Sequence, residues 1–128
     1  MYYYNLGYYF NDVSAAHSER PALRYPDQVY SYSELTRLVE SLAALLIVKG
    51  CRRGHVIAIG HNKRPLAYAL MLAALRLGIA YVNIDVASPP ARNSRILEVS
   101  GVTLLFYDDP QYAQAMASLA KNNDCEAV

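Results

Sequence analysis

The sequence predicts an α/β fold: a three-layer sandwich with a mostly parallel sheet, helices on both faces and a small N-terminal hairpin. Three observations carry the prediction. Short, largely apolar runs recur at HVIAIG, AYVNID and VTLLFYDD, and strands buried on both faces read this way. Longer stretches with helical spacing of apolar residues alternate with them, and crossovers of that length make neighbouring strands parallel. Glycines fall just past three of those stretches, at Gly50, Gly78 and Gly101, where a helix needs a residue that accepts a left-handed turn. The 128 residues suit one domain, 1–128.

Taken in order, residues 8–19 are expected to form a helix ending near Arg20-Pro21. Two β-prone pieces then flank Pro26-Asp27-Gln28, a turn by composition, which gives the hairpin. Ser31-Tyr-Ser-Glu34 fits a capping box, in which the serine oxygen takes the N3 amide and the glutamate reaches back to the N-cap amide. Leu35, Leu38, Val39, Leu42, Leu45 and Leu46 follow at steps of three and four, with Glu34, Arg37 and Glu40 opposite, so the helix is amphipathic. It ends at Gly50. Residues 55–60 are a buried strand. Pro65 to Leu77 is apolar nearly all round and should be sandwiched. Gly78 stops it, and residues 80–85 form the next strand. Pro89-Pro90 opens a helix to about Ser100, with Ser88 as its expected cap. Residues 102–109 give a last strand, and residues 110–122 an amphipathic final helix.

Composition removes several function classes. A 54% hydrophobic, 18% charged chain can bury a core. A net charge of +1, with basic residues scattered and no run longer than Arg52-Arg53, offers nucleic acid or an anionic membrane no strong field. Apolar runs such as Leu42 to Val48 fall far short of the ~20 residues that span a bilayer. Cys51 and Cys125 form no CxxC, so neither a zinc site nor a disulfide scaffold is expected. The opening MYYYNLGYYF lacks a basic segment and a smooth aliphatic core, and a cytoplasmic setting is expected. Five of its first nine residues are tyrosines, among 12 in the chain. We expect these half-polar rings to coat the first helix. A rival reading makes them the contact surface of a non-enzymatic binding module, with Tyr2, Tyr3 and Tyr4 at its centre.

The chemistry-bearing residues are sparse. A dinucleotide site needs G-x-G-x-x-G directly after a strand. Here Gly60 is followed by His61-Asn62-Lys63-Arg64, and no G-K-[ST] loop occurs. Asp85, Asp108 and Asp109 all fall at carboxyl ends of expected strands, where open α/β sheets bind ligands. They could hold Mg²⁺ in a small phosphoacceptor domain. Equally, such aspartates cap helices and bond loop amides, and Asp109 before Pro110 stands in a capping position. His17, His55 and His61 do not converge in sequence, and His61 has no neighbouring serine or cysteine to activate.

Two ordered motifs carry a resemblance. Tyr30-Ser-Tyr-Ser-Glu-Leu35 resembles the first core motif of the adenylate-forming, AMP-binding ligases, which include acyl-CoA synthetases and nonribosomal peptide synthetase adenylation domains. Leu75-Arg-Leu-Gly-Ile-Ala-Tyr-Val-Asn-Ile-Asp85 resembles their second. Their spacing and flanks agree: Lys49-Gly-Cys-Arg-Arg-Gly54 before a strand, then Ser88-Pro-Pro-Ala-Arg92, Ile96-Leu97 and Ser100-Gly101. The similarity runs from residue 8 onward. Asn83 departs from it, since many members carry proline there. The resemblance implies ATP- and Mg²⁺-dependent activation of a carboxylate as an acyl-adenylate and its transfer to a thiol. The family's phosphate-binding loop, adenine- and ribose-binding residues, substrate pocket and C-terminal domain with its lysine have no counterpart up to Val128. Both motifs present are structural, so no catalytic, cofactor-binding or metal residue is carried over and no cofactor is expected in this chain. It is therefore expected to be an N-terminal portion, inactive alone. Its expected partners are the remainder of the ligase, a complementing chain, or a second copy meeting it through exposed apolar surface.

Overall fold

The computed structural model describes residues 5–128. Asn5 caps the first helix, α1 (Leu6–Ala16), through its side-chain oxygen, which accepts from the Gly7 amide. The same side chain donates to the Leu75 carbonyl at 2.9 Å. This tertiary bond places the start of α1 two residues earlier than helical spacing alone suggests. Its end also comes earlier than expected. The Arg20 carbonyl accepts from the Tyr32 amide at 3.0 Å, which holds that residue at the hairpin and not in a helix. The hairpin pairs β1 (Pro21–Arg24) with β2 (Val29–Ser31) in antiparallel register.

The capping box forms as expected at the start of α2 (Tyr32–Val48). The Glu34 amide donates to Ser31 Oγ at 3.1 Å, and the Ser31 amide donates to Glu34 Oε1 at 3.2 Å. Ser31→Ala leaves one end amide without its acceptor. We expect it to cost about 1 kcal/mol, measured as a lower urea midpoint with unchanged slope. At the other end the Cys51 amide reaches the Leu46 carbonyl and the Gly50 amide the Ile47 carbonyl, with Gly50 at φ +80°. That is a Schellman closure, and it is repeated at Gly78 by the Ile79→Ala74 and Gly78→Leu75 bonds.

The main sheet has the order β4-β3-β5-β6, with every neighbouring pair parallel. Its strands are β3 (Val56–His61), β4 (Ala80–Asp85), β5 (Leu104–Tyr107) and β6 (Glu126–Ala127). The helices between them are α3 (Pro65–Leu77), α4 (Pro90–Ser100) and α5 (Ala113–Asn122), the last preceded by a 3₁₀ turn, Pro110–Tyr112. The chain steps outward from β3 to β4, then back past β3 to β5 and on to β6. Right-handed crossovers taken in opposite directions must lie on opposite faces. Accordingly, Ile57 and Ile59 of β3 pack with α2 and α3 in one core cluster, while Ala58, Ile84 and Leu105 pack with Leu97 of α4 and Met116 and Leu119 of α5 in another. The three-layer expectation holds.

Two further expectations are corrected. Ser88 does not cap α4; its amide donates to the Asp85 carbonyl at 3.0 Å, and Pro89 occupies the N-cap position without a side-chain bond. β6 was not anticipated, because two residues carry no period. It exists because the amides of Glu126 and Val128 donate to the carbonyls of Thr103 and Leu105 at 2.9 Å each. Among the described residues no helix is long and apolar enough to cross a membrane.

Candidate functional site

In an open α/β sheet the ligand crevice lies outside the carboxyl ends of two neighbouring strands whose crossovers leave in opposite directions. Here those strands are β3 and β5. The residues leaving β3 are His61, Asn62, Lys63 and Arg64; those leaving β5 are Asp108 and Asp109. Four of these side chains, Asn62, Arg64, Asp108 and Asp109, engage one another across the crevice. Arg64 Nε stands 3.3 Å from Asp108 Oδ2, and Arg64 Nη1 stands 3.8 Å from Asp109 Oδ2. Asn62 Nδ2 donates to Asp109 Oδ2 at 2.5 Å, and Asp109 Oδ1 accepts from the Gln111 amide at 3.1 Å. The last bond is the capping role anticipated for Asp109.

Asp85 sits one strand further out, paired in register with His61. Its carboxylate turns into its own loop and accepts from the Ala87 amide at 2.9 Å. Three aspartates at strand ends therefore become one loop acceptor and two partners of Arg64. Among the described residues no group of three His, Cys, Asp or Glu side chains could hold a metal ion. Arg64 is the residue that sequence reasoning missed. It reads as part of a basic loop, and only the β3–β5 pairing reveals that it faces the two aspartates.

The β3 exit lacks the glycine-rich turn of a dinucleotide phosphate loop: His61, Asn62, Lys63 and Arg64 follow Gly60. A phosphate cradle needs backbone approach at a glycine. A Cβ at Gly60 would stand 3.1 Å from Met116 Sδ, 3.1 Å from Val86 Cγ1 and 3.3 Å from the Phe106 carbonyl. On the side where a Cβ would project, the space is already occupied by the protein's own core. Both thiols are held protonated by burial, Cys51 in the core and Cys125 beside Asp124, so neither is an activated nucleophile.

A shallower cleft of about 430 Å³ opens between the ends of β3 and β4, lined by His61, Lys63, Tyr68, Asn83, Asp85 and Arg92 among others. His61 Nδ1 accepts from the Lys63 amide at 2.6 Å, and its ring meets Tyr68 edge-on at 5.2 Å. Burial and then the Lys63 charge lower the His61 pKa, with Asp108 and Asp85 opposing. The fold therefore favours the neutral ring, and the unfolded chain binds the proton more readily. This contribution to stability is complete above the unfolded value of 6.5 and is lost as pH falls from there through the lower folded-state pKa. We expect the urea midpoint to drop more between about pH 7.5 and about pH 5.5 in the wild type than in His61→Gln. Equal drops would remove His61 as the cause.

On the other face an apolar groove of about 210 Å³ lies between α2 and α3, bounded by Leu42, Leu45, Leu66, Leu70, Phe106 and Val128. Exposed apolar side chains also stand on α2, at Ile47 and Val48, and on α4, at Val99. Tyr8 and Tyr9 lie exposed on α1, whereas Tyr2, Tyr3 and Tyr4 fall outside the described residues.

Comparison with known proteins agrees with this architecture. The AMP-binding enzyme family matches residues 10–128. An L-proline–[L-prolyl-carrier protein] ligase of Streptomyces coelicolor is 39% identical over 97 residues, covering 76% of this chain but 18% of the relative. Surfactin synthase subunit 3 of Bacillus subtilis is 32% identical over 111 residues, covering 86% of this chain and 9% of the relative. Among solved structures, the N-terminal subdomain of NpsA from Klebsiella oxytoca superposes with a TM-score of 0.85 at 23% identity, over 97% of this chain and 30% of that one. A benzoate CoA ligase from Burkholderia xenovorans gives 0.86 at 17% identity, over 98% and 25%. These two likenesses show the fold. The chain thus spans less than a fifth of the length of the two curated relatives named here.

Proposed function

This chain belongs to the AMP-binding enzyme family, and from that premise we propose that it supplies the first part of the large domain of an amino-acid- or acyl-activating ligase and forms no adenylate by itself. The carrying observation is the state of the β3–β5 crevice. Arg64 and Asn62 are tied to Asp108 and Asp109, and packed side chains fill the space that a Cβ at Gly60 would take. The guanidinium that faces this crevice is therefore already engaged by two carboxylates of the chain itself. What this portion contributes is a scaffold: a sheet, two helical layers and the two motifs that cap α2 and reverse the chain at Gly78.

The apolar groove beside α2 and α3 supports a partner in the form of the ligase's remainder or a complementing chain, since water leaves such a surface favourably when it is covered. The test is ATP–pyrophosphate exchange with a mixture of amino acids and aryl acids. The chain alone should give no exchange. Co-expression with a ligase piece that starts where the match to this chain ends should restore it. Exchange catalysed by the purified chain, free of any companion, overturns the proposal.

A further inference from the structure

Among the described residues the outer edge of β4 is open. The Ala80 amide donates to the His55 carbonyl at 3.0 Å, and the Val86 amide to that of His61 at 3.4 Å, so even-numbered residues of β4 face β3. Alternate residues of a strand bond to opposite sides. Tyr81, Asn83 and Asp85 therefore direct their amides and carbonyls away from the sheet, and among the described residues no strand lies beyond them. The Asp85 carbonyl is engaged by the Ser88 amide and Asn93 Nδ2. The backbone groups of Tyr81 and Asn83 meet no partner among the described residues.

Free edges of this length are normally blunted by proline, a bulge or a covering loop. A proline at position 83 would delete an amide on this outward side. Here the amide is present and the six-residue strand is unbroken.

We propose that two copies of this chain pair antiparallel through their β4 edges, with Val82 opposite Val82 of the second copy, joining the two sheets into one. The arrangement is self-complementary, as a two-fold interface must be. In this register Tyr81 of each chain exchanges both backbone bonds with Asn83 of the other, and every outward group of the two residues is satisfied. Val82 occupies the closer, non-hydrogen-bonded position, where Cα atoms approach to about 4.5 Å. Asp85 falls opposite Ile79, so the carboxylates do not face each other across the ladder. Val82 and Ile96 of α4 share one core cluster and are only partly buried, and Val99 on the same helix is 77% exposed.

The test needs no nucleotide, so it stands or falls separately from the proposed activity. Sedimentation velocity of the 128-residue chain should show a concentration-dependent monomer–dimer equilibrium. Asn83→Pro removes one outward donor per chain and no bond to β3. It should raise the dissociation constant about tenfold or more while leaving the far-UV circular dichroism unchanged. Val82→Cys in a Cys125→Ser background should cross-link rapidly on oxidation, because the expected Cα separation suits a disulfide. This second variant decides the matter if Asn83→Pro does not fold. A wild-type chain that stays monomeric at several hundred micromolar, a folded Asn83→Pro that dimerises as tightly, or a Val82→Cys variant that does not cross-link overturns the proposal.

Discussion

Leu105→Ala is expected to lower the unfolding free energy by about 2–5 kcal/mol. Leu105 is fully buried at the centre of β5, between β3 and β6. It packs in the cluster that joins Ala58, Ile84, Leu97, Met116 and Leu119. Deleting most of its side chain removes transfer energy and leaves a cavity walled by two helices and three strands. Parallel strands hydrogen-bonded on both sides cannot easily close such a gap. Domains of this size are stable by about 5–15 kcal/mol in all, so the loss is a large share. Ile47→Ala is the control. That residue is 61% exposed on α2, and its truncation should change stability by no more than about 0.5 kcal/mol. Urea melts of both variants check the pair: the midpoint should fall for Leu105→Ala with its slope unchanged. A loss below about 1 kcal/mol would mean that this side of the sheet is loosely packed and readily collapses.

The contrast between these two leucine-like positions also explains how much of the fold was legible beforehand. Leu35, Val39 and Leu46 announced the buried stripe of α2 by spacing, and HVIAIG announced a strand buried on both faces. The capping box and the glycines at 50, 78 and 101 are local devices whose bonds close within a few residues, so sequence alone located them. The misjudged parts depend on distant partners. α1 starts at Leu6 because Asn5 reaches Leu75, a separation that no window of sequence spans. β6 is two residues long and is defined by carbonyls more than twenty positions earlier. At the site, the positions of Asp85, Asp108 and Asp109 at strand ends were legible from the strands themselves. Their engagement was not. It depends on Arg64, which the order β4-β3-β5 brings across from the neighbouring strand.

Gly60→Ala is the second large effect, and it separates a packing glycine from a ligand-binding one. Gly60 lies in β3 at the crevice where a nucleotide fold would keep its phosphate loop, so a glycine there invites a functional reading. The surroundings give a different reason. The added methyl would press on Val86 Cγ1 and Met116 Sδ at 3.1 Å and on the Phe106 carbonyl at 3.3 Å. The carbonyl is held by the β3–β5 ladder, and valine is stiff at χ1. Only the methionine can swing aside readily. We expect a loss of about 1–3 kcal/mol from overpacking. Met116→Ala also destabilises by itself, because Met116 is 2% exposed and leaves a void. Combined, the two changes should cost less than their sum, since the new methyl enters space that the thioether vacates, and residues in contact couple by about 0.5–3 kcal/mol. Additive losses in the four-way thermodynamic cycle would deny that Met116 is what Gly60 accommodates. They would return the glycine to the question of what else approaches the end of β3.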